Sequence, residues 1–264
     1  MTGCRGLSAE VTAIPRLAIA VIALATSTQC VAQKTENPLL RKSAGTIEYR
    51  SIDHDVVRGT EQWTLMVHSD GSRTLNARMH NLEAGTRTHI IQRVDADFHP
   101  LDAVIQRWVG DNYRGIGLFT IKDNVLTGLS RGAEEEGSQE VSLGQDVTLL
   151  SHAVAADAWL GIPANLEAQR EGEITAYSVE LKPSATPPFL GTMIHAAVEW
   201  VGRETIEVPA GRFDTTHLRL ADRFDIWIFG PDRTMARMLD EKAGREYVLV
   251  DYSGDRSLLA PNLR

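Results

Sequence analysis

Residues 61–78, EQWTLMVHSDGSRTLNAR, contain two short runs in which apolar and polar residues alternate. In the first run Trp63, Leu65 and Val67 share one face. The polar stretch Ser69–Ser72 supplies turn residues that lead into the second run. A period of two is typical of a strand with one buried face, and a short polar turn between two such runs is typical of an antiparallel hairpin. This stretch therefore predicts an antiparallel sheet.

The same pattern recurs along most of the chain. Residues 87–99 alternate over their whole length, and residues 117–128 read as a hairpin with Asp123 and Asn124 at its tip. Further strands are predicted at 172–182, 193–201, 203–208, 212–220, 224–229 and 246–252. We predict a mainly β fold, a curved antiparallel sheet or open barrel of about ten strands with one or two covering helices.

The best helical pattern lies at Asp146–Leu160, DVTLLSHAVAADAWL. Asp146 is placed to cap its first turn, and apolar residues recur near one face. Gly161 and Pro163 would end the helix. We expect this helix to cover one face of the sheet.

Length and composition exclude several classes of protein. The chain has 264 residues, of which 43% are hydrophobic and 23% charged, so it can bury a large core and does not have the composition of a disordered protein. Its formal net charge of −8 argues against a nucleic-acid partner, which requires a basic surface. The sequence does not indicate an oligomeric state.

Residues 1–32 have the layout of a secretory signal peptide. The apolar run Leu17–Thr26 follows Arg16 and precedes small and polar residues, so we predict cleavage after Ala32 and a periplasmic protein whose residues 33–264 form a single β-rich domain. The run has about half the roughly 20 residues of a membrane span, so we expect no stable transmembrane anchor. A lipid anchor at Cys30 and a buried N-terminal helix are the weaker alternatives.

Both cysteines, Cys4 and Cys30, fall within the predicted signal peptide. A mature chain without cysteine has no disulfide, no thiolate nucleophile and no cysteine-ligated metal. No nucleotide-binding or zincin motif occurs, and we predict no cofactor. Gly128–Gly132 fits the Gly-x-Ser-x-Gly pattern, but the flanking strand and helix that a nucleophile elbow needs are missing.

Three stretches of the C-terminal half follow one another in a characteristic order. Residues 206–220 contain the turn Val208-Pro-Ala-Gly211, and an aromatic strand at 225–232 and a closing strand at 245–251 follow. This part resembles exported proteins of the DUF3108 type, which are broadly similar to lipoprotein-carrier folds. The resemblance covers about 60 residues and implies a curved antiparallel sheet that wraps a hydrophobic cavity beneath helices.

Two groups of residues are candidates for acid–base catalysis. Asp97 and His99 would share one face of a strand with Asp95, and His152 and Asp157 lie on the predicted helix. Carboxylates and an imidazole are also metal ligands. Side chains two apart on a strand are separated by about 6.5–7 Å at Cα, which disfavours convergence on one ion, so we predict no metal site. The alternative is that residues 95–99 belong to an ordinary solvated strand face and that His152 is a hydrogen-bonded helix residue with no catalytic role.

Large aromatic side chains would line a cupped sheet and offer flat apolar area to a ligand. Arg107, Tyr113 and Arg114 are placed to stabilise negative charge. The alternative is that the aromatic residues only fill the core. The predicted ligand-binding residues are Trp63, Trp108, Tyr113, Arg114, Trp159 and Trp227.

Three hypotheses for function follow. The first is an exported carrier or binding protein for a hydrophobic or amphipathic small molecule. The second is a cofactor-independent lyase, isomerase or hydratase that uses His and Asp in such a cavity. The third is an envelope assembly or structural protein with exposed edge strands. The sequence alone does not decide between the first two, because an apolar pocket with one His and one Asp serves both.

Overall fold

The computed structural model describes residues 37–54, 56–133, 135–144, 146–163, 165–181, 187 and 189–255. The predicted signal peptide, residues 1–32, lies outside the described residues. The strands within them are β1 (Leu39–Ser51), β2 (Val56–His68), β3 (Arg73–Asn81), β4 (Thr86–Val94), β5 (Pro100–Val109), β6 (Asn112–Lys122), β7 (Val125–Gly132), β8 (Glu136–Ser142), β9 (Val147–Leu150), β10 (Glu171–Val179), β11 (Gly191–Val208), β12 (Gly211–Leu220), β13 (Phe224–Phe229), β14 (Thr234–Asp240) and β15 (Arg245–Ser253). The helices are α1 (Val154–Asp157), α2 (Leu166–Gln169) and a 3-10 turn at Glu241–Ala243.

All fifteen strands belong to one sheet, in the order β8-β7-β6-β5-β4-β3-β2-β1-β15-β14-β13-β12-β11-β10-β9. The chain meanders outward from β1 to one edge, continues at the opposite edge and meanders back until β15 pairs with β1. Every pairing is antiparallel except β9 with β10, which is parallel. The mainly β, curved antiparallel sheet is confirmed.

The prediction of about ten strands is too low. The edge strand β8 (EGSQEVS) shows why, because its residues alternate only between exposed and partly buried. It packs little apolar surface, so it has no hydrophobic alternation in the sequence. The two halves of β11, predicted as separate strands, form one strand of 18 residues.

The concave face of the sheet is apolar and the convex face is polar. Leu75, Ile90 and Ile105 are at most 1% exposed and come from three neighbouring strands on the concave side. In β4, Arg87 and Arg93 alternate with the buried residues and point away from the core. The polar face of residues 87–94 is therefore the outer face of the sheet.

Residues 95–99 form a turn, which corrects the prediction that the strand continues to His99. The Asp95 Oδ1 accepts hydrogen bonds from the backbone N–H groups of Asp97 at 2.8 Å and His99 at 2.9 Å. An aspartate side chain that bonds the backbone two residues ahead is a turn former, and Phe98 has a positive φ of 71°. Asp95, Asp97 and His99 therefore do not share a strand face.

The predicted helix Asp146–Leu160 is also wrong in form. The segment 147–160 folds into β9, a loop and the four-residue α1, and it lies against the concave face of the sheet. Thr148 Oγ1 donates to the carbonyl oxygen of Trp159 at 2.9 Å, so the two limbs of the segment run side by side. Because the segment is buried on nearly every side, its apolar residues follow burial rather than a helical period. We call residues 147–160 the inner segment.

A buried glutamate of the sheet holds the tip of the inner segment, which is the start of α1 at Val154 and Ala155. The side chain of Glu61 is fully buried, and its carboxylate accepts hydrogen bonds from the backbone N–H groups of Val154 at 2.8 Å and Ala155 at 2.9 Å. The Tyr49 hydroxyl donates a third bond at 2.7 Å. The first N–H groups of a helix have no partner within the helix, so Glu61 acts as a cap supplied by a neighbouring strand.

The limb that leaves the tip is held at a second point. Trp159 Nε1 donates to the carbonyl oxygen of Asp232 at 3.0 Å, and the Arg233 guanidinium donates to the carbonyl oxygen of Leu160 at 3.0 Å. The Asp232 carboxylate in turn accepts from Arg41 and Arg73, each with an Nε–oxygen distance of 3.0 Å. The inner segment is thereby fixed to strands from both halves of the sheet.

Replacing Glu61 tests whether this cap stabilises the fold. We expect Glu61→Ala to lower the free energy of unfolding by about 3 kcal/mol, because it leaves buried N–H groups without an acceptor. Urea denaturation measures the change. Gln62→Ala, at the exposed neighbouring position, is the control and should shift stability by less than about 0.5 kcal/mol. Equal effects of the two substitutions would contradict the capping role.

Candidate functional site

A cavity of about 370 Å³ lies between the inner segment and the concave face of the sheet. It opens near the end that carries the turns β1–β2, β3–β4 and β14–β15, where Arg245 is exposed. Val154 and Arg107, which also line it, are buried. The remaining lining residues come from both halves of the sheet, and polar ones such as Arg58, Asn81 and Thr86 are about as numerous as apolar and aromatic ones. They include Tyr49, Met79, Thr88, Leu181, Met238 and Tyr247.

Arg107 is the most unusual residue in this cavity. It points inward from β5 and is 6% exposed, and no described residue offers an acceptor to its Nε or Nη1. Burial lowers the pKa of its guanidinium. Buried charges are costly unless they are paired, so this side chain is suited to bind an acceptor that enters the cavity.

Asp157, the last residue of α1, lines the same cavity. Its Oδ1 is buried and finds no hydrogen-bond partner among the described residues. Burial, and the nearby carboxylate of Glu61, raise the pKa of Asp157 to about 8. The side chain is therefore a neutral carboxylic acid at pH 7 and can donate a hydrogen bond.

His152 is the third polar group of the cavity. It lies in the loop before α1 with a φ of +66°, and its Nε2 is 2.9 Å from the carbonyl oxygen of Val179. Because a carbonyl only accepts, Nε2 carries the proton and Nδ1 is left as an acceptor in the neutral ring. Burial lowers the pKa of His152, and the charge of Arg107 lowers it further.

Of the four predicted catalytic residues, the structure brings only His152 and Asp157 to one cavity. His99 pairs with Asp95, with 3.0 Å between Nδ1 and Oδ2, and Asp97 is exposed in the same turn. Neither Asp97 nor His99 is among the described residues that line the cavity. Arg93, beside this turn, pairs with Asp102 at 3.2 Å.

The six predicted ligand-binding residues do not converge. Trp63 and Trp159 are 3% and 2% exposed and fill the core. Trp227 stacks on His217 with 4.3 Å between ring centroids, and its Nε1 donates to Glu204. None of the six is among the described residues that line the cavity. The three that lie near the β5–β6 turn, two of them exposed, are Trp108, Tyr113 and Arg114.

The sequence held a signal for part of this site. In β5, Ala103, Ile105 and Arg107 occupy successive inward positions, and an arginine in an otherwise apolar inward series marks a buried charge. Arg107 was predicted to stabilise negative charge, although its place in this cavity was not. Tyr49 and Tyr247 were missed because their strands were not recognised as neighbours.

In the described part of the chain, no group of three or more His, Cys, Asp or Glu side chains is arranged to hold a metal ion. No helix within the described ranges has the length and apolar character needed to span a membrane.

Comparisons with known proteins identify a shared fold. No family model and no curated protein matches the chain. Among solved structures, it is similar to a β-barrel-like protein of the domain of unknown function DUF1849 from Brucella abortus, with a TM-score of 0.52 and 10% identity over 83% of this chain and 99% of that one. A DUF1089 family protein from Pseudomonas aeruginosa gives a TM-score of 0.38 and 12% identity over 67% of this chain and 87% of that one.

The DUF1849 likeness concerns the fold alone. The resemblance of residues 206–251 to DUF3108 proteins has no matching family model. The curved antiparallel architecture that the resemblance implied is nevertheless the architecture of this chain.

The titration of Asp157 has a measurable consequence. The pKa rises from its ordinary value of 3.8 to about 8 in the folded protein, so between these pH values the unfolded chain releases a proton that the folded protein keeps. Stability contributed in this way is complete at low pH and is lost as the pH rises through the window. The free energy of unfolding of the native chain should therefore fall relative to that of Asp157→Asn, by up to about 1.4 kcal/mol for each pH unit between pH 5 and 8.

Urea denaturation across this pH range checks the expectation. Asp97→Asn, at an exposed carboxylate outside the cavity, is the matched control and should keep a constant difference from the native chain. A constant difference for Asp157→Asn as well would mean that Asp157 titrates normally.

Proposed function

We propose that this protein binds a hydrophobic or amphipathic small molecule in the cavity between the inner segment and the sheet, as a periplasmic carrier or binding protein. The observation that carries the proposal is the cavity itself, in which apolar and aromatic side chains, among them Met79, Leu181 and Met238, lie beside a comparable number of polar ones. Its volume of about 370 Å³ lies within the range of roughly 300–1,000 Å³ that ligand sites of known proteins have.

The walls of the cavity suit the apolar part of a ligand. Met79 and Met238 contribute unbranched, polarisable side chains that adapt to the shape of a ligand. Tyr49 and Tyr247 contact each other edge to face, with 5.0 Å between ring centroids. Aromatic rings add flat apolar area at a small cost in conformational entropy.

The export of the protein is part of the same proposal. The apolar run in residues 1–32 supports it, together with the resemblance to exported proteins. Expression of the whole chain in a bacterium, followed by native mass spectrometry of the periplasmic fraction, tests both the cellular location and the bound ligand. We expect a mature N-terminus at Gln33 and a co-purified small apolar molecule. An uncleaved chain in the cytoplasm would contradict the proposed location.

A cavity-filling substitution tests the binding site directly. We expect Met238→Trp to weaken binding of the neutral fluorescent probe N-phenyl-1-naphthylamine at least tenfold, because the indole occupies space that the probe needs. Met66→Trp adds the same side chain on the outer face of β2 and should leave binding within twofold. Fluorescence titration measures both.

Folding of the variants is checked by circular dichroism and thermal unfolding. Leu181→Trp fills the cavity from a different segment and provides a second variant if Met238→Trp does not fold. Unchanged probe binding in a folded variant of either kind would contradict the proposed site.

One observation favours a catalytic alternative, a cofactor-independent lyase, isomerase or hydratase. The neutral acid Asp157 and the neutral base His152 line the same cavity, with pKa values displaced in opposite directions. A proton donor and a proton acceptor with such displaced pKa values are the two parts of acid–base catalysis.

The co-purified molecule and its close analogues are the substrates for a turnover assay. If the cavity is catalytic, Asp157→Asn or His152→Gln should lower the rate by roughly 10²–10⁴. Asp97→Asn and His99→Ala should leave it unchanged, because the structure places both outside the cavity. Loss of turnover in the second pair alone would move the chemistry to the β4–β5 turn, and absence of turnover in the native chain would leave the carrier function.

A further inference from the structure

We propose that the ligand is an amphipathic monocarboxylate whose carboxylate binds Arg107. This inference rests on the proposed binding function and specifies the chemical class of the ligand. Three observations carry it: the position of Arg107 in the sheet, the hydrogen-bond partners of the neighbouring acidic groups, and the charge of the cavity.

The sheet gives Arg107 no acidic neighbour. In the register of β4, β5 and β6, the residues directly opposite Arg107 are Thr88 on one side and Gly115 on the other. Residues opposite each other on neighbouring strands are the nearest cross-strand partners, and opposite charges placed there stabilise a sheet. In this position one partner is neutral and the other has no side chain, so neither cross-strand partner neutralises this guanidinium.

The two acidic groups near the cavity do not compensate Arg107 either. Glu61 has a full set of partners in Tyr49 and the backbone of Val154 and Ala155. Among the described residues, the Oδ1 of Asp157 and the Nε and Nη1 of Arg107 all lack a hydrogen-bond partner, so these atoms do not bond to each other. Because burial and Glu61 raise the pKa of Asp157 to about 8, it carries no charge at pH 7.

The other cations of the cavity are placed differently. Arg58 forms an ion pair with Glu83, and Arg245 is exposed at the mouth, where water screens its charge. Among the described residues, the cavity therefore contains one buried cation without a counter-charge. A ligand with a single negative charge neutralises it, whereas a dianion would bring an uncompensated charge into the interior.

A carboxylate also matches the polar groups around Arg107. Guanidinium and carboxylate form strong charge-assisted hydrogen bonds. The neutral acid of Asp157 lines the same cavity and can donate a further bond to the head group. The chain of the ligand then lies against Met79, Leu181 and Met238, the apolar wall of the cavity.

The experiment compares molecules that share one alkyl chain and differ in the head group. Displacement of N-phenyl-1-naphthylamine from the whole, delipidated mature protein by decanoate, 1-decanol and decyl phosphate gives three affinities at pH 7. We expect decanoate to bind at least tenfold more tightly than 1-decanol and more tightly than decyl phosphate.

Substitution of Arg107 assigns the preference to its side chain. We expect Arg107→Gln to weaken decanoate binding by 30-fold or more and to leave 1-decanol binding within threefold. Arg93→Gln removes an arginine from the outer face of the adjacent strand and should leave both affinities within twofold. Arg107→Lys keeps the charge and should retain part of the preference, which provides a second variant if Arg107→Gln does not fold.

The possible outcomes separate this inference from the proposed function. Equal binding of decanoate and 1-decanol, or a preference for decanoate that survives Arg107→Gln, would overturn the carboxylate site while the apolar cavity stands. Tighter binding of decyl phosphate would also overturn it, since the site would then select a more highly charged head group. Failure of the native protein to bind the probe and every decyl compound would instead overturn the proposed binding function.

Discussion

The bond between the Glu61 carboxylate and the first turn of α1 is the constraint on which the site depends. Glu61 lies on β2, whereas Val154 and Ala155 lie at the tip of the inner segment, so a contact across more than ninety residues fixes the segment against the sheet. Burying a carboxylate is costly, and three hydrogen bonds offset that cost. Burial raises the pKa of Asp157 at the other end of α1, and the nearby carboxylate of Glu61 raises it further because it disfavours a second negative charge.

Much of the fold was predictable because it repeats one local pattern. Alternation in residues 61–78 and 87–94 identified strands that have one buried face, and the turns between them had ordinary turn residues. The prediction failed where burial does not alternate. The outer strand β8 is exposed or only partly buried along its length, and the inner segment is buried nearly throughout, so neither has a hydrophobic period that specifies its conformation.

The candidate site was less predictable, because its residues come from parts of the chain that are distant in sequence. Arg107 is on β5, Asp157 is on the inner segment and Tyr247 is on β15. What joins them is the order of the strands, in which β1 lies between β2 and β15, and the return of the inner segment across the concave face. No spacing rule relates such residues. His152 and Asp157 were candidates because both lie on the predicted helix, although a spacing of five residues does not make them neighbours there.

Two anchors explain why the cavity is open. Glu61 holds the tip of the inner segment, while Asp232 and Arg233 hold the limb that leaves it, so the segment is fixed to β2 and to the β13–β14 turn. A collapse that filled the cavity would break buried hydrogen bonds at one anchor or the other, each of which is costly to leave unmade. A site that is held open in this way requires little ordering when a ligand enters. The Nε and Nη1 atoms of Arg107 and the Oδ1 atom of Asp157, which have no hydrogen-bond partner among the described residues, are available to a ligand that enters this cavity.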